Sequence, residues 1–167
     1  MEFLTARLVL RPMSLDDVDL LVALDSDPEV MRYITGGKPT RREDVEKIVA
    51  DSLGHRWSAF DRSTNEFVGW FGLRPTGDGE FELGYRLRRE AWGQQLATEG
   101  SRALIAAAFD ELGARRVWAQ TMAANAASRR VMERCGLRYV RTFHLEWAEP
   151  IEGTELGDVE YEILRPG

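Results

Sequence analysis

The spacing of apolar residues at the start of the chain predicts a strand followed by a helix. An apolar run over residues 7–13 ends at a proline-containing segment and predicts the strand. Ser14 has the side chain of a helix N-cap, and Leu15, Val18 and Val22 follow on one side of the helix that it begins. The chain is therefore expected to open with a strand and an amphipathic helix.

Two further helices are predicted before the pattern changes. The Asp-Pro pair at 27–28 favours a short helix, because proline suits the first helical position, and the Gly-Gly pair at 36–37 ends it. Thr40 and Glu43 have the spacing of a capping box at the start of a third helix, which ends near Gly54. Together with the first helix, three helices are expected before residue 55.

The pattern of the next segment is that of β-structure. Residues 55–62, 66–75 and 81–87 are rich in aromatic and aliphatic residues, and they are separated by a polar turn at 63–66 and a polar, glycine-containing turn at 76–80. Short connections of this kind join neighbouring strands that run in opposite directions. The segment therefore predicts three consecutive antiparallel strands.

Helices and strands alternate in the remainder of the chain. Apolar residues recur at helical spacing over residues 93–112, and a strand pattern follows at 115–122. An asparagine caps the helix predicted over 125–134, and the segments 137–147 and 158–165 predict two final strands. This order indicates an α+β architecture whose sheet is antiparallel first and mixed later.

Composition limits the class of protein. A chain of 167 residues with 44% apolar residues has the size and apolar content of one globular domain, so residues 1–167 are expected to form a single domain. The net charge of -6, with both signs mixed along the chain, provides no basic surface for nucleic acid. No segment reaches the roughly 18 apolar residues of a membrane span. We expect a cytoplasmic protein that binds neither nucleic acid nor membrane.

Few residues suit metals or disulfides. Cys135 is the one cysteine, and the only histidines are His55 and His144. A single cysteine forms no internal disulfide, and the three residues do not have the spacing of metal ligands. No metal is therefore expected, and Cys135 is interpreted as a buried structural thiol.

The segment 87–99 joins a strand to the long helix and is the first candidate for chemistry. The N-terminus of a helix presents unpaired N–H groups and a partial positive charge, which together favour a phosphate. An ordinary strand-to-helix turn, with Gly93 at positive φ, explains the same residues. The segment alone leaves both interpretations open.

A second candidate is the helix that begins at Asn125. Helical spacing puts Ser128, Val131, Met132 and Cys135 on one face, so a hydroxyl shares an apolar stripe. Such a hydroxyl needs a partner. The alternatives are a functional contact or a bond back to a carbonyl one turn earlier, and Asn125 is explained equally well as a plain N-cap.

Four segments in this order resemble the GNAT superfamily of N-acetyltransferases, and within it the RimJ/RimL-type protein N-terminal acetyltransferases. They are TARLVLRPMSLDDVDLL, DPEVMRYI, FELGYRLRREAWGQQLATEG and NAASRRVMERCGLRYV. The resemblance spans nearly the whole chain. It implies the acyl-CoA N-acyltransferase fold, with a mixed, mostly antiparallel sheet of seven predicted strands flanked by about five helices.

The resemblance also implies acetyl-CoA as donor, CoA as product and direct attack by an amine in a ternary complex. Backbone N–H groups from Arg88 to Thr98 would hold the pyrophosphate, Leu87 would supply an N–H at the reacting carbonyl, and Asn125 and Ser128 would lie at the pantetheine and the sulfur. The implied cofactor-binding residues are Leu87, Arg88, Trp92, Gly93, Gln94, Gln95, Leu96, Ala97, Thr98, Asn125 and Ser128.

The sequence departs from the family pattern at three positions. Glu90 stands where glutamine or arginine is usual, Gln95 where glycine or alanine is usual, and Met132 where many members carry a tyrosine. The first two departures put the strength of cofactor binding in question. The third removes a phenol as the acid, and the role then falls to Ser128.

The acceptor is expected to be a primary amine, first a protein or peptide N-terminal α-amine. Unperturbed α-amines have a pKa near 8, against roughly 10.4 for lysine, so a modest base is enough. Glu82 is the implied base, directly or through water, and a solvated strand carboxylate is the alternative. Rival functions are a small-molecule N-acetyltransferase and an acyl-CoA-binding domain without activity. A homodimer is a further possibility that the resemblance carries.

Overall fold

A computed structural model describes residues 1–167 and contains one eight-stranded sheet. In chain order the strands are β1 (Phe3–Leu4), β2 (Leu8–Pro12), β3 (Arg56–Asp61), β4 (Phe67–Gly77), β5 (Glu80–Leu87), β6 (Arg116–Met122), β7 (Arg138–Phe143) and β8 (Asp158–Leu164). Their order in the sheet is β1-β2-β3-β4-β5-β6-β8-β7, and only β5 and β6 pair in parallel. The sheet is thus mixed and mostly antiparallel, as predicted.

Four α-helices cover the two faces of the sheet. They are α1 (Val18–Leu24), α2 (Arg42–Ser52), α3 (Leu96–Glu111) and α4 (Ala126–Arg134). Successive strand residues point to opposite faces. Trp70 of β4 accordingly packs with the buried residues of α1 and α2, whereas Phe71 packs with those of α3 and α4. No helix has the length and apolar character to cross a membrane.

Several predicted elements differ in the structure. The sheet has eight strands rather than seven, because the two-residue β1 pairs with β2 and is too short to show a period. There are four α-helices rather than five, because residues 28–37 form a series of turns and not the short helix predicted at 27–28. The long helix begins at Leu96, three residues after Gly93.

The helix caps also differ from the predictions. The capping box predicted for Thr40 and Glu43 is wrong, because α2 is capped by Arg41 without any side-chain hydrogen bond. A capping box does form at Ser14, whose hydroxyl and the carboxylate of Asp17 close the first turn before α1. The Asp17 side chain is buried and also accepts a hydrogen bond from Ser58, at 2.7 Å, which ties that turn to β3.

The strands β5 and β6 separate along their length. Three residue pairs join them, from Glu80 with Arg116 to Glu82 with Trp118. Beyond these pairs, β5 continues to Leu87 and β6 to Met122 without pairing to each other. On their outer sides both strands stay paired, β5 with β4 and β6 with β8. A V-shaped gap therefore opens in the middle of the sheet.

Candidate active site

The β5 side of the gap presents backbone polar groups. The N–H of Arg88 donates to Val68 O, at 2.9 Å, and so points toward β4. Since backbone groups alternate along a strand, those of Leu87 and Tyr85 point the other way, into the gap. The carbonyl of Leu87 accepts a hydrogen bond of 3.0 Å from the indole of Trp92. That indole fixes the turn after β5, and the N–H of Leu87 faces the gap.

The turn between β5 and α3 carries a run of unpaired amides. The N–H groups of residues 93 through 98 donate to no turn, cap or side-chain acceptor. Two residues at positive φ, Gly93 at 76° and Gln95 at 60°, bend the chain so that these amides precede or begin the helix. Unpaired amides at the N-terminus of a sixteen-residue helix form a site for an anion such as a pyrophosphate.

The side chains of the two unusual residues of this turn, Glu90 and Gln95, are both exposed. Glu90 is exposed and turns toward Arg88, with 3.1 Å between Oε2 and Nε. Hydrogen bonds from its own backbone and from Arg88 lower the pKa of Glu90, and the ion pair offsets its negative charge. Gln95 adopts the left-handed conformation that glycine would favour, and its side chain is exposed and makes no hydrogen bond.

Ser128 of α4 meets a residue from the opposite side of the gap. Its Oγ lies 2.9 Å from the hydroxyl of Tyr85, and that hydroxyl also donates to the carbonyl of Ser128, at 3.0 Å. The alternative of a bond back to an earlier helix carbonyl does not form. Asn125 accepts a hydrogen bond from the Ser128 amide, at 3.2 Å, and is the N-cap of α4 as predicted.

Tyr85 is the residue at the gap that sequence reasoning missed. Burial raises the pKa of its phenol above the ordinary value, and the hydrogen bond to Ser128 only partly opposes this. The phenol therefore keeps its proton at neutral pH. Strand alternation places Tyr85 on the same face as Leu83 and Leu87, toward α3 and α4, so the period-two pattern contained a signal for it.

Glu82 lies where β5 and β6 part. It belongs to the last residue pair that joins the two strands, and its side chain is 18% exposed. Arg74 of β4 forms an ion pair with one of its carboxylate oxygens, and Gln120 of β6 donates to the other, at 3.3 Å. Glu82 is thus neither free in solvent nor fully buried, and two neighbours fix its orientation.

The match to a known family decides the identity of the protein class. Residues 7–138 match the acetyltransferase (GNAT) domain. The chain belongs to the GNAT acetyltransferase family. It is accordingly an acetyl-CoA-dependent N-acetyltransferase, and the predicted superfamily and fold are confirmed.

Relatives and solved structures agree with this assignment. The chain is 36% identical to the FsC-acetyl coenzyme A-N(2)-transacetylase of Aspergillus fumigatus, over 96% of this chain and 75% of the relative. A GNAT acetyltransferase from Bacillus anthracis superposes with a TM-score of 0.82 and 25% identity, covering 98% of each chain. RimL, a ribosomal L7/L12 α-N-protein acetyltransferase in complex with coenzyme A, gives a TM-score of 0.82 at 20% identity, over 99% and 98% of the chains.

The cysteine of this acetyltransferase lies beside the gap but outside it. Cys135 is buried at the end of α4, and its Sγ lies 3.7 Å from the carbonyl of Thr98 on α3. Burial raises the pKa of the thiol to about 11, so the reactive thiolate is scarce at neutral pH. The prediction of a buried structural thiol is confirmed.

An open groove of the acetyltransferase lies away from the gap. Its volume is about 550 Å³, and it separates the turns after α1 from the loop between β7 and β8. Ion pairs of Arg32 with Glu152, at 2.6 Å, and of Lys38 with Glu149, at 3.2 Å, connect the two segments. None of the residues at the gap lines it. The free amides, the hydroxyl pair and the Glu82 carboxylate described above lie along the gap instead.

Proposed function

We propose that this acetyltransferase acetylates an α-amine, first of all the N-terminal α-amine of a peptide or protein, by direct attack in a ternary complex. The observation that carries the proposal is the position of Glu82. Its carboxylate lies where β5 and β6 part, and Arg74 and Gln120 hold its orientation. An α-amine, with a pKa near 8, loses a proton to such a group more easily than a lysine amine near 10.4. The site has no histidine among its polar residues.

The donor would lie along the gap. Acetyl-CoA supplies an activated acetyl group as a thioester. The free amides of residues 93 through 98 suit its pyrophosphate, as the resemblance implied, and the inward-facing amides of Tyr85 and Leu87 suit the carbonyl groups of the arm and the thioester. Trp92 supports this strand end through its bond to Leu87.

Two groups of the chain would handle protons. Glu82 accepts a proton from the attacking amine, directly or through one water, while Arg74 and Gln120 hold its carboxylate in place. Ser128 donates a hydrogen bond to the departing sulfur, and Tyr85 turns its own hydrogen from the Ser128 carbonyl to the Ser128 oxygen. The C–N bond forms as the C–S bond breaks. Glu82 then releases the amine proton to solvent, and the thiolate, stabilised by the hydrogen bond from Ser128, takes a proton from solvent and leaves as CoA.

A second acceptor class is favoured by one comparison. The 36% identical relative is named as an FsC-acetyl coenzyme A-N(2)-transacetylase, a name that specifies transfer to one nitrogen, N(2). The likeness to RimL supports the peptide acceptor only through the shared fold, because the identity is 20%. A small-molecule amine is therefore the alternative acceptor, with the same donor and the same gap.

Thiol release from acetyl-CoA tests the proposal. The purified enzyme is offered peptides with different N-termini, free amino acids, polyamines and aminoglycosides, at matched amine concentration. Peptides are expected to give the highest kcat/KM, and mass spectrometry is expected to place the acetyl group on the α-nitrogen. Turnover of polyamines alone, or acetylation of lysine side chains alone, would refute the α-amine proposal.

A further inference from the structure

Five charged side chains stand on the α1 and α2 face of the sheet beside the gap. Four form two ion pairs: Arg74 with Glu82, and Arg86 with Asp25 at 2.8 Å. The fifth, Arg56 of β3, has no ion pair or hydrogen bond to its guanidinium. The cluster of three arginines and two carboxylates thus holds one positive charge that no group of the protein balances.

A row of glycines leads from Arg56 to the gap. Arg56 pairs across the sheet with Gly72, and Gly72 pairs with Gly84 of β5. A Cβ on Gly72 would lie 3.4 Å from Cγ of Arg56, so the arginine stem crosses β4 at that glycine. Neighbouring strands are about 4.8 Å apart, so Gly84 lies roughly 10 Å from the Arg56 backbone. The arginine therefore extends along the row toward the gap.

Trp70 supports the guanidinium over this row. The Arg56 guanidinium lies 3.9 Å from the centre of the Trp70 ring, and the Arg86 guanidinium lies 5.4 Å from it. The far edge of the same ring would lie 3.3 Å from a Cβ on Gly84. A flat aromatic surface thus connects the unpaired cation to the strand that borders the gap, and cation–π attraction fixes the cation there.

The surroundings leave this charge underhydrated. Burial lowers the pKa of Arg56 to about 10, and the charges of Arg86 and Arg74 act in the same direction, while Asp25 and Glu82 oppose them. The guanidinium remains charged at neutral pH. A desolvated cation without a counter-ion lowers stability, and an anion that forms two parallel hydrogen bonds with it removes that penalty.

We propose that Arg56 binds a carboxylate of the acceptor, so that the enzyme prefers an α-amine whose own residue is acidic, as in aspartate or glutamate. The inference rests on the proposed function, because it takes the acceptor amine to be at Glu82. An amine at Glu82 and a carboxylate at Arg56 each face a group of opposite charge. The preferred acceptor is then a small zwitterionic unit, at a peptide N-terminus or as a free amino acid.

Isosteric acceptors test the preference directly. Thiol release is measured with two peptides that differ only in Asp or Asn at the first position, and with free aspartate and asparagine, which distinguish the two sources of the carboxylate. A charge-assisted bidentate contact gives about a 10- to 100-fold higher kcat/KM for the acidic member of a pair. The wild-type comparison needs no variant and so does not depend on folding.

The variant Arg56→Gln identifies the residue responsible. It is expected to raise the KM for the acidic acceptor about 10-fold or more, with kcat nearly unchanged and the Asn acceptor unaffected. Arg56→Lys keeps the charge and restores part of the preference. The control Arg138→Gln removes an exposed, unpaired arginine from β7 and leaves the preference intact. Melting temperatures with and without acetyl-CoA confirm that each variant is folded.

Equal kcat/KM for Asp and Asn acceptors, or an unchanged preference in Arg56→Gln, would overturn the inference while leaving the acetyltransfer proposal in place. Thiol release with polyamines but not with α-amines would overturn the proposed function, and the inference with it. A preference seen with free amino acids but not with peptides supports Arg56 as the carboxylate site and assigns the acceptor to the small-molecule class.

Discussion

The proposed site has a side for the acetyl donor and a side for the acceptor, and the two are built from different chemical groups of the chain. On the donor side, backbone amides of residues 93 through 98 and of β5 face the space between the strands, and their direction depends on the path of the chain. On the proposed acceptor side, the groups are charged side chains from three strands and from Asp25 at the end of α1. A backbone site tolerates many side chains, whereas a side-chain site changes with a single substitution.

This difference explains why the sequence indicates the acetyl donor but not the acceptor. The donor side follows from a recurring turn and a helix start, so the family resemblance indicates acetyl-CoA even though Glu90 and Gln95 depart from the pattern. The acceptor side has no such motif. Arg56, Arg86 and Asp25 are far apart in the chain, and only the folded sheet brings them together.

The largest expected effect concerns the acceptor side. Glu82→Gln keeps the size of the side chain and removes its ability to accept a proton, so kcat should fall about 10²- to 10⁴-fold, the usual contribution of a general base. Acetyl-CoA affinity, measured by calorimetry, should be unchanged because Glu82 is not among the donor-side amides. Part of the activity should return as the pH rises and the free amine becomes abundant.

A wild-type kcat in Glu82→Gln would mean that solvent takes the proton and that Glu82 only pairs with Arg74. Arg74→Gln serves as the comparison. Removing the Arg74 guanidinium leaves the Glu82 carboxylate in place without its ion-pair partner. This variant should change the pH profile of kcat and cause a smaller loss of rate than Glu82→Gln.

The next effect tests the hydroxyl pair that joins β5 to α4 across the gap. Ser128→Ala and Tyr85→Phe each remove one hydroxyl of the pair, and losing one donor to a developing charge typically costs about 2 to 4 kcal/mol, roughly a hundredfold in kcat. The kcat of the double variant should be little lower than that of either single variant if the two hydroxyls act as one hydrogen-bonded unit. Alanine suits a helix interior, so Ser128→Ala should remain folded.

Additive losses of kcat in the double variant would show that the two hydroxyls contribute separately and do not act as one unit. A Ser128→Ala enzyme that melts normally and keeps the wild-type rate would show that Tyr85 and Ser128 only hold β5 against α4.

Sequence patterns predicted the fold where local periodicity was strong. The three consecutive strands and the helices α3 and α4 appear close to the predicted bounds, because β3 and β4 contain runs of buried residues and each helix buries one apolar face. The helix predicted at 27–28 does not form although Val30 and Met31 are buried in the core, because three later amides of the segment bond to the one carbonyl of Met31 and close separate turns. Here the Asp27 side chain accepts from the amide of Glu29 and the segment stays in turns.

The site was predicted in part, for a similar reason. Asn125 as an N-cap and the turn near Gly93 are local features and lie as predicted. The partner of Ser128 is 43 positions earlier in the chain and comes from the opposite side of the gap. A single helix face shows that the hydroxyl needs a partner, but the identity of that partner depends on the distance between β5 and α4, which no local pattern contains.

The smallest expected effect comes from a comparison of two residues with nearly the same positive φ, one in the donor-side turn and one in a turn far from it. Gln95 has φ of 60° in the turn before α3, and Asn65 has φ of 63° in the turn between β3 and β4. A left-handed conformation costs a residue with a Cβ about 1 to 2 kcal/mol, and asparagine adopts it more readily than glutamine does. Glycine removes that cost but loses about 0.5 to 1 kcal/mol through its freer unfolded chain. Gln95→Gly should therefore raise the free energy of unfolding by up to about 1 kcal/mol, a rise of roughly 2 to 4 °C in Tm for a protein of this size, while Asn65→Gly should change it little.

Because the donor side is proposed to bind through amides, Gln95→Gly should keep or increase acetyl-CoA affinity, measured by calorimetry, and Asn65→Gly should leave it unaltered. A clear loss of affinity in Gln95→Gly alone would show that the glutamine side chain itself contacts the donor, and that the donor side depends on side chains as the acceptor side does.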